Sequence, residues 1–150
     1  MKILIVNGCN LNLLGTREPE IYGSKTLSDI EAEIMQKCEA LGCECGFFQS
    51  NCEGAITGKL HEARLSADGV ILNAGAFTHY SYAIRDAIAA ISIPVIEVHM
   101  SNIYAREEFR HKSVLSEVCK GVICGFGSEG YLMAAEYLIN NSKGAGNERN

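Results

Sequence analysis

The chain has 150 residues, 47% of them apolar, which is the size of one domain with a continuous core. A formal charge of -5 argues against nucleic acid, which needs a basic stripe, and no apolar run approaches the roughly 18 residues of a membrane span. The opening MKILIVNG carries too short an apolar run for a signal peptide, so the seven cysteines are expected to be reduced thiols of a cytoplasmic protein.

A first strand is expected at residues 2–6. Residues 7–23, NGCNLNLLGTREPEIYG, then form a long connection. Connections of this length are uncommon in a compact domain and are usually functional or disordered. This one spends three asparagines, an arginine and a tyrosine on a turn-rich backbone, which points to a site. The first helix has Leu27, Ile30, Ile34, Cys38 and Leu41 at spacings of three and four, opening after Thr26 and stopping at Gly42.

Residues 43–48 read as the second strand. Its Cys43 and Cys45 share one face, and with no second pair at zinc spacing they read as apolar filling, so no metal is expected. The third strand, residues 69–72, runs into the polar segment NAGAFTH at 73–79. The helix after it sets Ala83, Ile84, Ala87, Ile88 and Ile91 on one face and leaves Arg85 and Asp86 on the other. A fourth strand at 95–98 leads into EVHMSN at 97–102. The fifth spans 121–124, where Cys119 and Cys124 again read as filling. The last helix turns Leu132, Ala135, Leu138 and Ile139 inward. Residues 1–142 form one domain, and 143–150 read as a disordered tail.

Apolar runs alternating with helical patterns indicate a parallel sheet wrapped by helices. The expected fold is α/β: a flavodoxin-like three-layer sandwich with a five-stranded parallel sheet in the order 2-1-3-4-5 and helices on both faces. In such sheets ligands bind beyond the carboxyl ends of the strands, at the switch point between the first and third. The polar segments after strands one, three and four therefore converge on one crevice.

Two pairs there could move protons. Arg17 and Tyr22 lie five apart on the long loop. Holding a tyrosine as phenolate at neutral pH costs about 4 kcal/mol, which a neighbouring guanidinium can offset. Spacing alone fits a tyrosine that anchors the turn beside Pro19 and Gly23 equally well. Glu97 and His99 lie two apart at a strand end, so their side chains leave the same face. A carboxylate beside an imidazole fixes the ring's tautomer and favours its protonated form, although a strand-end ion pair has the same spacing. GFGSEG at 125–130 mimics a dinucleotide fingerprint but lacks the following strand with its acid, so it reads as close helix-to-sheet packing. His61 and His111 have no partner at ligand spacing.

The loop, together with NAGAFTH, EVHMSN and REEFRHKS at 106–113, resembles the type II 3-dehydroquinate dehydratases, the type II dehydroquinases, in order and over nearly the whole chain. The resemblance implies a lyase of the shikimate pathway or quinate catabolism. It would dehydrate 3-dehydroquinate to 3-dehydroshikimate by anti elimination through an enolate, without a cofactor. Tyr22 matches the base, Arg17 the residue favouring its phenolate, and Asn10 the group positioning a water on the enolate. His99 matches the general acid and Glu97 the residue orienting it. Asn73 and His79 match residues that bind substrate hydroxyls, Met100 and Ser101 donors to the substrate carboxylate, and Arg110 a further substrate contact. Asp86 matches an acid supplied to a neighbouring subunit in a dodecamer, a tetramer of trimers. The substrate is anionic, and Arg17, Arg106 and Arg110 could concentrate the positive charge it needs.

The chain departs from the pattern at Cys9, usually proline, which frees one backbone angle at the loop entry. Phe77 stands where tyrosine is common, and Tyr80 and Tyr82 replace smaller residues. Competing readings are a lysine Schiff-base dehydratase, for which only Lys112 lies near the signature segments, a flavodoxin-like nucleotide- or flavin-binding module, and a degenerate relative kept as a scaffold.

Overall fold

A computed structural model describes residues 1–16 and 18–144. Five strands, β1 (Lys2–Asn7), β2 (Glu44–Gln49), β3 (Gly69–Asn73), β4 (Val95–His99) and β5 (Gly121–Cys124), pair in parallel in the order β2-β1-β3-β4-β5. The helices are α1 (Pro19–Tyr22), α2 (Leu27–Ala40), α3 (Glu53–Ser66), α4 (Tyr82–Ala90) and α5 (Glu129–Gly144). The sheet order and the flavodoxin-like α/β class are those expected from the pattern of apolar runs.

Successive strand residues face opposite layers, so the inner strands are apolar on both faces. Ile3 and Ile5 of β1 join one core with Ile30, Ile34 and Cys38 of α2 and Tyr131, Ala135 and Leu138 of α5. Leu4 and Val6 join the other, with Ile56 and Leu60 of α3 and Ile84 and Ile88 of α4. Each fully buried Leu or Ile of these layers stabilises the fold by about 1.5–3 kcal/mol.

Local chemistry sets the helix ends. The Asp29 amide of α2 donates to Thr26 Oγ1 (3.1 Å), and the Thr26 amide donates to Asp29 Oδ2 (2.9 Å), a reciprocal capping box. Cys38, Cys43 and Cys45 pack into the core beside α2, and burial raises all three thiols, Cys38 to about 12. All seven cysteines are free.

Three details differ from the sequence reading. The long loop is partly ordered by a 3-10 turn, Leu11–Leu13, and by α1. Leu132 is only partly buried on α5, whose inward face is instead led by Tyr131. Ala83 is exposed, and α4 seats Ile84, Ala87 and Ile88. Helix α5 runs to Gly144, and residues 145–150 of the expected tail lie outside the described residues.

The glycines of GFGSEG serve packing. A Cβ on Gly130 would lie 3.3 Å from Val98 and 3.4 Å from Ile123. The Gly125 and Gly127 amides donate to the carbonyls of His99 (3.2 Å) and Met100 (2.9 Å), steadying the end of β4.

Candidate active site

The carboxyl ends of β1, β3 and β4 open onto a crevice with about 520 Å³ of empty space, its open mouth included. The long loop contributes Asn10 and Tyr22 to its lining, β3 and the turn after it Asn73 and His79, and β4 and the segment beyond it His99, Met100, Ser101, Arg106 and Arg110. At the switch point β1 and β3 come very close. The Gly8 amide donates to the Asn73 carbonyl (2.7 Å), and a Cβ on Gly8 would lie 2.2 Å from the Ala74 carbonyl oxygen, so only glycine fits.

On one side of the crevice sits a buried acid pair. His99 Nε2 donates to Glu97 Oε1 over 2.6 Å, which leaves Nδ1 as the ring's other proton-carrying position. Two hydroxyls complete the carboxylate's shell, Ser113 Oγ to Oε1 (2.8 Å) and Ser116 Oγ to Oε2 (2.7 Å). Burial pushes the Glu97 carboxyl up, but the bonds from His99, Ser116 and Ser113 outweigh it and hold the group below its ordinary value. Glu97 is therefore a fixed anion that stabilises positive charge on His99.

Across the lining, Tyr22 ends α1. Pro19 starts that short helix with its preset φ, and Gly23, at φ 81°, ends it. Leu11 and Leu14, both buried, pin the preceding loop to the core. Arg106 Nη1 donates to the Tyr22 hydroxyl oxygen (2.7 Å) and to Ser101 Oγ (3.3 Å), and its guanidinium carbon lies 5.3 Å from the Tyr22 ring centroid. A charge-assisted donor at this distance stabilises negative charge on that oxygen. Arg17, expected to take this part, lies outside the described residues.

Asn10 adopts the left-handed conformation, φ 68°, with its amide donating to Asn51 Oδ1 (2.9 Å). That conformation suits asparagine better than most residues. His79 Nδ1 donates to the Lys112 carbonyl (2.7 Å), so Nε2 is left as the acceptor. Burial lowers its titration and outweighs that hydrogen bond, so the ring is neutral near pH 7. It stacks near His99, with centroids 6.4 Å apart. Arg110 bonds Glu107 (2.6 Å) and lies over the Phe109 ring.

The structure thus gathers Asn10, Tyr22, Asn73, His79, Glu97, His99, Met100, Ser101 and Arg110 at one site. Asp86 lies elsewhere: its side chain is 77% exposed, beside Arg85. Arg106 was read from sequence only as a source of positive charge, and Ser113 and Ser116 were given no part. Arg106 and Ser113 open and close REEFRHKS, so the signal was present, but the pairings span 84 and 16 positions. Among the described residues no lysine lines the crevice, and no group of three or more His, Cys, Asp or Glu is placed to hold a metal ion.

The chain is similar in sequence and backbone to known proteins. The family model for dehydroquinase class II matches residues 1–139. The 3-dehydroquinate dehydratase of Bacillus licheniformis is 58% identical over 140 residues, covering 93% of this chain and 97% of that protein. The Bacillus subtilis 3-dehydroquinate dehydratase is 55% identical over 141 residues, covering 94% and 95%. The crystal structure of type II dehydroquinase from Butyrivibrio crossotus superposes with a TM-score of 0.91 at 51% identity, covering 92% of this chain and 97% of that one. The family model over residues 1–139, the relatives of 55–58% identity and the superposed backbone show that the chain belongs to the class II dehydroquinase family.

Proposed function

We propose that the crevice dehydrates 3-dehydroquinate to 3-dehydroshikimate. The observation that carries this reading is the pairing of Arg106 with Tyr22 (2.7 Å) and of Glu97 with His99 (2.6 Å) on the lining of one crevice. Elimination needs a base for a weakly acidic C–H and an acid for a poor leaving group, and these pairs supply one of each.

Tyr22, as phenolate, takes the proton from the carbon between the ketone and the leaving hydroxyl, and the electron pair passes to the ketone oxygen as an enolate. Asn10 orients a water against that oxygen, as the family resemblance implies. The enolate then collapses, the carbon–hydroxyl bond breaks, and His99 delivers its proton so that water leaves. Glu97 holds the ring and its charge until that transfer. Turnover ends with a protonated Tyr22 and a neutral His99, and proton exchange with solvent resets both. Splitting the elimination this way spreads the barrier over two smaller steps.

Asn73 and neutral His79 bind substrate hydroxyls, the Met100–Ser101 segment receives the carboxylate, and Arg110 adds charge. Arg17 favours the Tyr22 phenolate, as the family resemblance implies. The exposure of Asp86 fits its entry into a neighbouring subunit's crevice in a dodecamer built as a tetramer of trimers. Seven free thiols fit a reducing, cytoplasmic setting. Incubating the purified chain with 3-dehydroquinate and following the conjugated enone by absorbance tests the reading: steady formation of 3-dehydroshikimate supports it, and a flat trace refutes it.

A further inference from the structure

Beneath the crevice lies a buried polar chain of which the proposed mechanism uses only Asn73. Tyr131 of α5 is fully buried among apolar residues, yet its hydroxyl accepts from Asn73 Nδ2 (2.9 Å) and donates to Asn7 Oδ1 (2.6 Å). On the other side of the Asn73 amide, the Gly75 backbone N–H donates to Oδ1 (3.2 Å).

The directions in this chain are fixed by chemistry. A backbone N–H can only donate, so the amide oxygen must face Gly75 and the NH2 must face Tyr131. The phenol has one hydrogen, and it goes to Asn7. A flipped Asn73 would set two donors against each other at Gly75. It would also ask the single phenol hydrogen to serve two acceptors. Burial raises the Tyr131 phenol far above its ordinary value, so that hydrogen stays in place. Asn73 is only 5% exposed, yet it lines the crevice. Its second N–H and the second lone pair of Oδ1 are what remain for a ligand.

We infer that Tyr131 is a positioning residue: the Gly75 N–H sets which way the Asn73 amide points, and the Tyr131 hydroxyl, set into the apolar layer below the sheet, anchors the NH2 end and so holds its second N–H toward the substrate. The inference rests on the substrate-binding role proposed for Asn73. Asn73 touches groups that do not react, so losing the anchor weakens ground-state and transition-state binding alike, raising KM and sparing kcat.

The test is a double-mutant cycle with 3-dehydroquinate as substrate. Tyr131→Phe keeps the ring and removes the anchor. KM should rise about tenfold with kcat within about threefold, the size of one misdirected hydrogen bond. In an Asn73→Ala background the same substitution should leave KM unchanged. An unchanged KM in the single variant, or an equal change in both backgrounds, overturns the inference, since a purely structural tyrosine would act independently of Asn73.

A second readout needs neither turnover nor the alanine variant. In ¹⁵N-labelled protein, the Asn73 side-chain amide protons should exchange at least about tenfold faster in Tyr131→Phe than in wild type. Unchanged protection overturns the inference. If wild-type protein fails to dehydrate 3-dehydroquinate, the proposed function falls, and the amide exchange still decides whether Tyr131 holds Asn73.

Discussion

Replacing Arg106 tests the base side of the site. Its Nη1 lies 2.7 Å from the Tyr22 hydroxyl oxygen, and its side chain is 11% exposed. At a charge separation of about 4 Å and an effective dielectric of about 20, a guanidinium attracts a phenolate by about 4 kcal/mol. Allowing for partial solvent access and for loop charges that also act on the phenolate leaves about 2–4 kcal/mol, or about 30- to 1,000-fold in rate. Arg106→Gln keeps a donor but removes the charge and should lose kcat by that factor. Arg106→Lys keeps the charge without the planar fork and should recover part of the loss. The assay is initial-rate dehydration of 3-dehydroquinate, repeated in a Tyr22→Phe background, where Arg106→Gln should cost less than about threefold more. Turnover of Arg106→Gln within threefold of wild type, or equal losses in both backgrounds, would refute the reasoning.

Tyr22→Phe and His99→Ala should each lose on the order of 10² to 10⁴ in turnover, and wild-type rates in either would remove that residue from proton transfer. Acid stability should fall in two stages. His79 titrates below its ordinary 6.5 in the folded protein, and Glu97 below 4.5. In both windows the unfolded chain binds more protons, so stability falls as pH drops, first below about 6.5 and again below about 4.5. Denaturant midpoints across this range check it: Glu97→Gln should flatten the lower limb, and an unchanged slope there would contradict the hydrogen-bonded anion described at Glu97. Cys9 lines the crevice, so alkylation should slow turnover, substrate should protect, and Cys9→Ser should resist. Equal inactivation of Cys9→Ser would exclude that thiol.

The five strands were legible because each is a short apolar run bounded by polar or glycine residues, and their alternation with helical patterns implies a parallel sheet. The crevice followed from the sheet order. Helix α3 was harder to see: Gly54 and Gly58 interrupt its pattern, and only Ile56, Leu60 and Ala63 face inward. Between β4 and β5 no long helix forms; three 3-10 turns run around the site, with Arg106 just after the first, Arg110 in the second and Ser116 opening the third. Glu97 and His99 could be paired from sequence because strand geometry sets residues two apart side by side. Tyr22 with Arg106, and Tyr131 with Asn73 and Asn7, could not, because those contacts join distant segments whose approach depends on the finished fold. An aromatic residue on an apolar helix face shows nothing in sequence of where its hydroxyl points.

The central claim is a cofactor-free anti elimination, with the base and acid on opposite faces of the ring. The most direct test is a pair of 3-dehydroquinate samples, each stereospecifically deuterated at one of the two hydrogens on the carbon beside the ketone that is deprotonated, turned over by wild-type protein with borohydride present. The mechanism predicts loss of the deuterium anti to the leaving hydroxyl, retention of the other, and activity untouched by borohydride. Loss of the syn deuterium, or inactivation through a trapped substrate adduct, would contradict it.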